Sequence, residues 1–225
     1  MFGLTLMRPW LVADLGRDMR VLSWALNRPG YVTARRIVWR EVRNADLPVG
    51  FDAARWFQGE LAEIGLGDAV AMLTSRDIAT FPRATACVEG VQAECIATLG
   101  LSNAESVGAR LPWHPADGSG WGTINLAVAT NAGLTRSAQL EALSIAVEAR
   151  TAAVAAAGWR LPTGLATGTG TDCVALAARP GRGAYAGLHT STGEAVGRAV
   201  RDAVAEAATD WLAWRAAQPA GKAAP

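Results

Sequence analysis

The sequence predicts a single α+β domain in which a mixed, largely antiparallel sheet packs against long amphipathic helices. Three observations carry this. The chain has 225 residues, 51% of them apolar and only 18% charged, enough for one extensive core within the size range of one domain. Extended candidates follow one another between residues 69 and 99 with no helix between them, which favours antiparallel or mixed pairing. Three segments, near 52 to 64, 137 to 157 and 191 to 216, carry apolar residues at helical spacing and are long enough to cover a sheet.

Taken in order, the first strand is Tyr31 to Val42, where Val32, Ile37, Val38, Trp39 and Val42 lie between Pro29-Gly30 and Asn44. Asp52 caps a helix running to about Ile64, with Phe57, Leu61 and Ile64 on its stripe and Gly65 at its exit. Ala69 to Leu73 is a buried strand, and Ala84 to Val91 and Ala93 to Leu99 form a hairpin or bulged pair around Gly90. GARLPWHPADGSGWG, residues 108 to 122, breaks every period with two prolines and four glycines and is read as a long loop. Thr123 to Thr130 is a strand, NAGLT a turn, and Ser137 to Ala157 a helix ended by Gly158. The run ATGTGTD then feeds a short buried strand, CVALAA. The last helix starts at Ser191, which has the S-x-x-E capping-box spacing with Glu194, and runs to about Ala216. Residues 1 to 216 are therefore expected to form one domain, and 217 to 225, rich in helix breakers, a flexible tail.

The charge balance narrows the partners. Twenty-one basic and twenty acidic residues nearly cancel, so no long-range field gathers phosphate backbones or anionic lipid, and neither nucleic acid nor membrane is expected. Arg8, Asp14, Arg17 and Asp18 interrupt the apolar N-terminal stretch before it reaches signal or membrane length. Cys87, Cys95 and Cys173 show neither zinc spacing nor an even count, which fits a reducing compartment. The expectation is a cytoplasmic protein, with monomer and homo-oligomer both open.

Several residues have the chemistry of a hydrolytic site. His189, in GLHTSTGE, lies just before the last helix, whose positive end disfavours the imidazolium and leaves a neutral imidazole able to act as a base or merely to hydrogen-bond the helix entrance. Thr167 to Asp172 puts backbone amides, three hydroxyls and a carboxylate within six residues. The amides at Gly168 and Gly170 could form an oxyanion site, Thr169 or Thr171 could be a nucleophile, and Asp172 could orient His189 or a water; a tight turn capped by Asp172 accounts for the same residues. Because this glycine-rich turn precedes its strand and lacks a Walker lysine, a nucleotide-phosphate loop is disfavoured. Glu141 and Glu148, two turns apart on one helix face, are read as a solvated pair or, for Glu148, as a carboxylate entering a cleft. Trp113, His114 and Trp121 lie within the long loop, where they could contact a large planar ligand; a mobile surface loop accounts for the same residues. With two histidines seventy-five residues apart and no H-E-x-x-H, no catalytic metal is expected, and the G-x-S-x-G elbow is absent.

Six segments, LSWALNRPG, MLTSRDI, GTINLAVATNAGLT, EARTAA, ATGTGTD and AGLHTSTGEAVGRAV, occur in this order between residues 22 and 200 and together resemble the adenosylcobinamide amidohydrolase family. The resemblance implies hydrolysis of the amide joining the aminopropanol arm to the corrin of adenosylcobinamide, giving adenosylcobyric acid for cobamide salvage or remodelling. It implies a corrinoid substrate and no cofactor of the protein's own, since cobalt and the adenosyl group arrive with that substrate. It raises the standing of His189, Asp172, Thr169, Thr171, Asn131 and Glu148, which lie inside the matching segments. A corrinoid-binding protein without hydrolytic activity on the same scaffold is the alternative.

Overall fold

The computed structural model describes residues 1–43, 46, 50–111 and 122–218. The chain opens with a hairpin, β1 (Gly3–Met7) and β2 (Trp10–Ser23), turning at Arg8-Pro9. The sequence reading places no element here, because the alternation in WLVADLGRDMRVLS is broken where the register with the next strand shifts between Asp14 and Met19. β3 (Gly30–Glu41) pairs antiparallel with β2. Helix α1 (Ala53–Glu63) starts from the predicted cap, the Asp52 carboxylate accepting the Arg55 N–H at 3.0 Å, and returns the chain to β4 (Val70–Thr74), parallel to β3.

β5 (Arg83–Val88) and β6 (Val91–Leu99) form the predicted hairpin, with Glu89 and Gly90 both at positive φ, +49° and +82°, the two-residue turn whose twist matches the strands. The short β7 (Ala104–Glu105) follows, then β8 (Ile124–Leu134), α2 (Arg136–Ala156), the short β9 (Arg160–Leu161), β10 (Gly164–Leu165) and β11 (Gly168–Thr169), β12 (Cys173–Pro180) and α3 (Ser191–Ala216).

The main sheet runs β4-β3-β2-β12-β8-β6-β5, with β1 also on β2. Its β3–β4 and β8–β12 pairings are parallel and the others antiparallel, so the mixed, largely antiparallel α+β architecture is the observed one. On one face, Cys95, Ala97, Leu126, Val128, Val174 and Leu176 pack against α2 and α3, whose facing positions are mostly Ala and Val. α1 covers the other half, placing Phe57 and Leu61 against Trp10, Val38 and Ala71. Residues of opposite parity, including Leu11, Ile37, Trp39, Met72, Ile96 and Ala175, form a second core with Phe2 and Ile78 and without a helix residue. The sheet curls around this core: Asn125 of β8 donates from Nδ2 to the Leu73 carbonyl of β4 at 2.6 Å, although three strands separate them in the sheet order.

Two expectations are corrected. NAGLT is not a turn, since β8 continues to Leu134: after a register shift β12 pairs Arg179 with Gly133 and Pro180 with Leu134, and this pairing keeps the segment extended. The cap of α3 is Thr190, whose hydroxyl accepts the Gly193 N–H at 3.0 Å, not Ser191. Ser191 is instead the first helical residue and hydrogen-bonds Glu89, while Glu194 pairs weakly with Arg198 on an exposed face. Residues 219 to 225 of the predicted tail lie outside the described residues.

Candidate active site

The turn that joins β11 to β12 is built around one carboxylate. Asp172 Oδ1 accepts the Ile124 N–H at 2.9 Å and the Thr169 hydroxyl at 2.5 Å, and Oδ2 accepts the Thr169 N–H at 2.9 Å and Arg150 Nη1 at 2.8 Å. A carboxylate offers about four acceptor sites, and these donors fill them. The Asp172 side chain is 7% exposed and that of Arg150 12%. Burial pushes the Asp172 carboxyl above its ordinary value, against the downward pull of the Arg150 charge and the Thr169 and Ile124 hydrogen bonds. Asp172 therefore clamps the turn to β8 and α2. Gly168 is required beside it, since a Cβ there would lie 2.6 Å from Oδ2.

The turn forms one wall of a cavity of about 410 Å³ where the curled sheet opens. Gly170, Thr171, Asp172 and Cys173 line it from the turn, Trp24 and Leu26 from the segment after β2, Val42 and Arg43 from the segment after β3, Met72 to Ser75 from β4 and its end, and Gly122, Thr123 and Asn125 from the start of β8. Three of its polar groups are held: Thr123 donates to the Thr171 carbonyl at 2.9 Å, Thr171 to the Gly122 carbonyl at 3.1 Å, and Trp24 Nε1 to the Asp172 carbonyl at 2.5 Å. Over Gly170 there is open space, so a ligand can approach the backbone. Burial pushes the Cys173 thiol up to about 12, which keeps it a neutral thiol. Among the described lining residues Asp172 is the only carboxylate. Among the described residues no group of three or more His, Cys, Asp or Glu is placed to hold a metal, and no helix is long and apolar enough to cross a membrane.

The structure divides the residues singled out from sequence. Thr171, Asp172 and Gly170 line the cavity; Thr169 and Gly168 stand behind them, holding or making room for Asp172. His189 and Asn131 are elsewhere. Asn131 lies six residues beyond Asn125 along β8, roughly 20 Å away, and its side chain accepts the Gln92 N–H and donates to the Gly90 carbonyl, tying β8 to the β5–β6 hairpin. His189 is exposed at the N-terminus of α3, beside Ser191 and Glu89. The other end of that helix is the one near the cavity: Trp214 lies 5.3 Å under the guanidinium of Arg76, next to Ser75, and Ser191 to Trp214 spans roughly 35 Å of helix. Asp172 thus cannot orient His189.

Glu148 is exposed and accepts the Ser144 hydroxyl at 3.0 Å. It lies about 200° around α2 from Arg150, and so on the far side from the turn. Glu141 accepts the Ala186 N–H at 2.8 Å and anchors the segment before α3. Trp113, His114 and Trp121 lie outside the described residues. Sequence reasoning missed Arg150, which sits inside EARTAA; a cation two residues from a favoured glutamate carries no local sign of a buried partner twenty-two positions away.

The sequence model of the adenosylcobinamide amidohydrolase family matches residues 4–216. A protein of Methanocaldococcus jannaschii, the uncharacterized protein MJ1613, is 40% identical over 90 residues, which cover 38% of this chain and 35% of that relative. The chain thus matches about a third of that relative's length. Among solved structures, the PH0078 protein from Pyrococcus horikoshii OT3 matches with a TM-score of 0.44 at 11% identity, covering 91% of this chain and 77% of the other.

Proposed function

The chain belongs to the adenosylcobinamide amidohydrolase family, and from that premise we propose that it hydrolyses the amide joining the aminopropanol arm to the corrin of adenosylcobinamide in the cavity beside Asp172. The observation that carries the location is convergence. Of the six segments that carry the family resemblance, LSWALNRPG, MLTSRDI, GTINLAVATNAGLT and ATGTGTD each supply wall residues, and EARTAA supplies Arg150, which holds Asp172.

In this reading the macrocycle stays at the mouth and the arm enters. The amide carbonyl meets the exposed backbone at Gly170, whose N–H fits a developing oxyanion, while the Thr171 N–H turns back to the Thr169 hydroxyl at 3.4 Å. Water adds to the carbonyl carbon, the C–N bond breaks, and aminopropanol leaves with the proton, giving adenosylcobyric acid. Asp172 acts as a positioning residue, because its oxygens are already engaged. The protein needs no cofactor of its own, as cobalt and the adenosyl group belong to the substrate.

One observation favours a second reading, a corrinoid-binding protein that hydrolyses nothing: the lining residues described include no uncommitted carboxylate and a protonated thiol. Incubating the purified, metal-depleted chain with adenosylcobinamide and following aminopropanol and adenosylcobyric acid by mass spectrometry separates the two. Both products appear if the hydrolase reading is right. Tight binding without product, also after metals are restored, selects the binding protein.

A further inference from the structure

Trp24 stands apart from the other described tryptophans. Trp10 stacks on Phe57, Trp159 and Trp214 pack on Trp211, Trp56 lies against Phe57, and Trp39 is fully buried. Trp24 alone among them is largely exposed, at 46%, with Leu26 beside it at 42%, and both lie on the wall of the cavity. An exposed indole normally samples several rotamers. This one is tethered: its Nε1–H donates to the Asp172 carbonyl at 2.5 Å, and the Asp172 carboxylate is itself held by four donors. A large aromatic face is thus held at the mouth of an apolar cavity, on the residue that organises the glycine-rich turn.

We propose that Trp24 is the platform on which the flat macrocycle of the substrate rests, and that it makes the site selective for an amide arm carried by a broad planar ligand over the same arm alone. This rests on the corrinoid reading above. The indole supplies stacking area at low entropic cost, because its orientation is set before the ligand arrives. An apolar plate held there leaves its arm directed past Leu26 toward Gly170 and Thr171. Such contacts are the same in ground and transition states, so they lower KM and leave kcat alone.

The test compares Trp24→Leu with Trp24→Phe. Both lose the Nε1–H tether and only Phe keeps an aromatic face. For each we would measure kcat and KM on adenosylcobinamide, and the Kd for the same compound by calorimetry. Trp24→Leu should raise KM and Kd about tenfold with kcat within about threefold, and Trp24→Phe should raise them no more than about threefold. N-(2-hydroxypropyl)acetamide, the arm without a macrocycle, should be turned over at least about a thousandfold less efficiently than adenosylcobinamide by the wild type. Equal losses in the two variants, or a fall in kcat at unchanged Kd, would show that Trp24 serves only to anchor the turn and would overturn the platform. Efficient cleavage of the small amide would overturn the selectivity. A wild type that binds but does not hydrolyse leaves the Kd comparison decisive for the platform, whereas one that neither binds nor hydrolyses adenosylcobinamide overturns the corrinoid reading and the platform with it.

Discussion

Replacing Asp172 by alanine should cost the protein a large part of its stability. Asp172 and Arg150 are both nearly buried and 2.8 Å apart, and removing one partner of such a pair leaves an uncompensated charge at about 3–5 kcal/mol. The Thr169 and Ile124 N–H groups lose their acceptor at the same time, about 1 kcal/mol each where water does not replace it. The sum, about 5–7 kcal/mol, is a large share of the roughly 5–15 kcal/mol that holds a domain together. For a chain of 225 residues, at about 2–4 °C per kcal/mol, it corresponds to a fall in Tm of roughly 10–30 °C. Circular dichroism during heating and guanidinium unfolding would measure it. The double variant Asp172→Ala/Arg150→Met removes the stranded charge and should recover about half of the loss. An Asp172→Ala protein within about 1 kcal/mol of wild type, or a double variant less stable than the single one, would refute the clamp.

Three further outcomes follow from the geometry. In the native protein at pH 8 iodoacetamide should label the exposed Cys87 and spare Cys95 and Cys173, whose thiols burial pushes up, for Cys173 to about 12; unfolding should expose all three, and mass spectrometry counts the labels. Gly170→Val, placed in open space, should leave Tm within about 2 °C while cutting kcat/KM at least tenfold, whereas Gly168→Ala, with its Cβ 2.6 Å from Asp172 Oδ2, should lower Tm by several degrees; a fully active Gly170→Val enzyme would move the substrate away from this turn. His189→Ala should keep kcat within about threefold of wild type, because His189 lies at the end of α3 remote from the cavity, and complete loss of turnover in a folded variant would return it to the mechanism.

Local patterns made much of the fold legible. The Asp52 cap, the pairing around Gly90, the strand runs at 31–42 and 84–99 and the apolar stripes of three helices depend on neighbours a few residues apart, and each appears close to its expected bounds, although the turn falls at Glu89-Gly90, inside the run read as strand to Val91. β2 was not legible, because the irregularity after Asp14 interrupts its period. The far end of β8 was misread because Asn131 and Gly133 look like turn residues until β12 is seen pairing beside them.

The site divides along the same line. The sequence was enough to single out GTGTD as chemically dense and to set its resemblance to a family beside the other segments, since residue identity and order are properties of the chain. Whether Asp172 faces a substrate, a histidine or an arginine depends on which strands lie side by side. The curl that brings β4 to β8 placed Asn125 against Leu73 and opened the cavity there, while the length of α3 carried His189 to the opposite end. Burial then filled the Asp172 carboxylate with donors from three separate segments, turning the most reactive-looking group of the turn into the one that holds it in place.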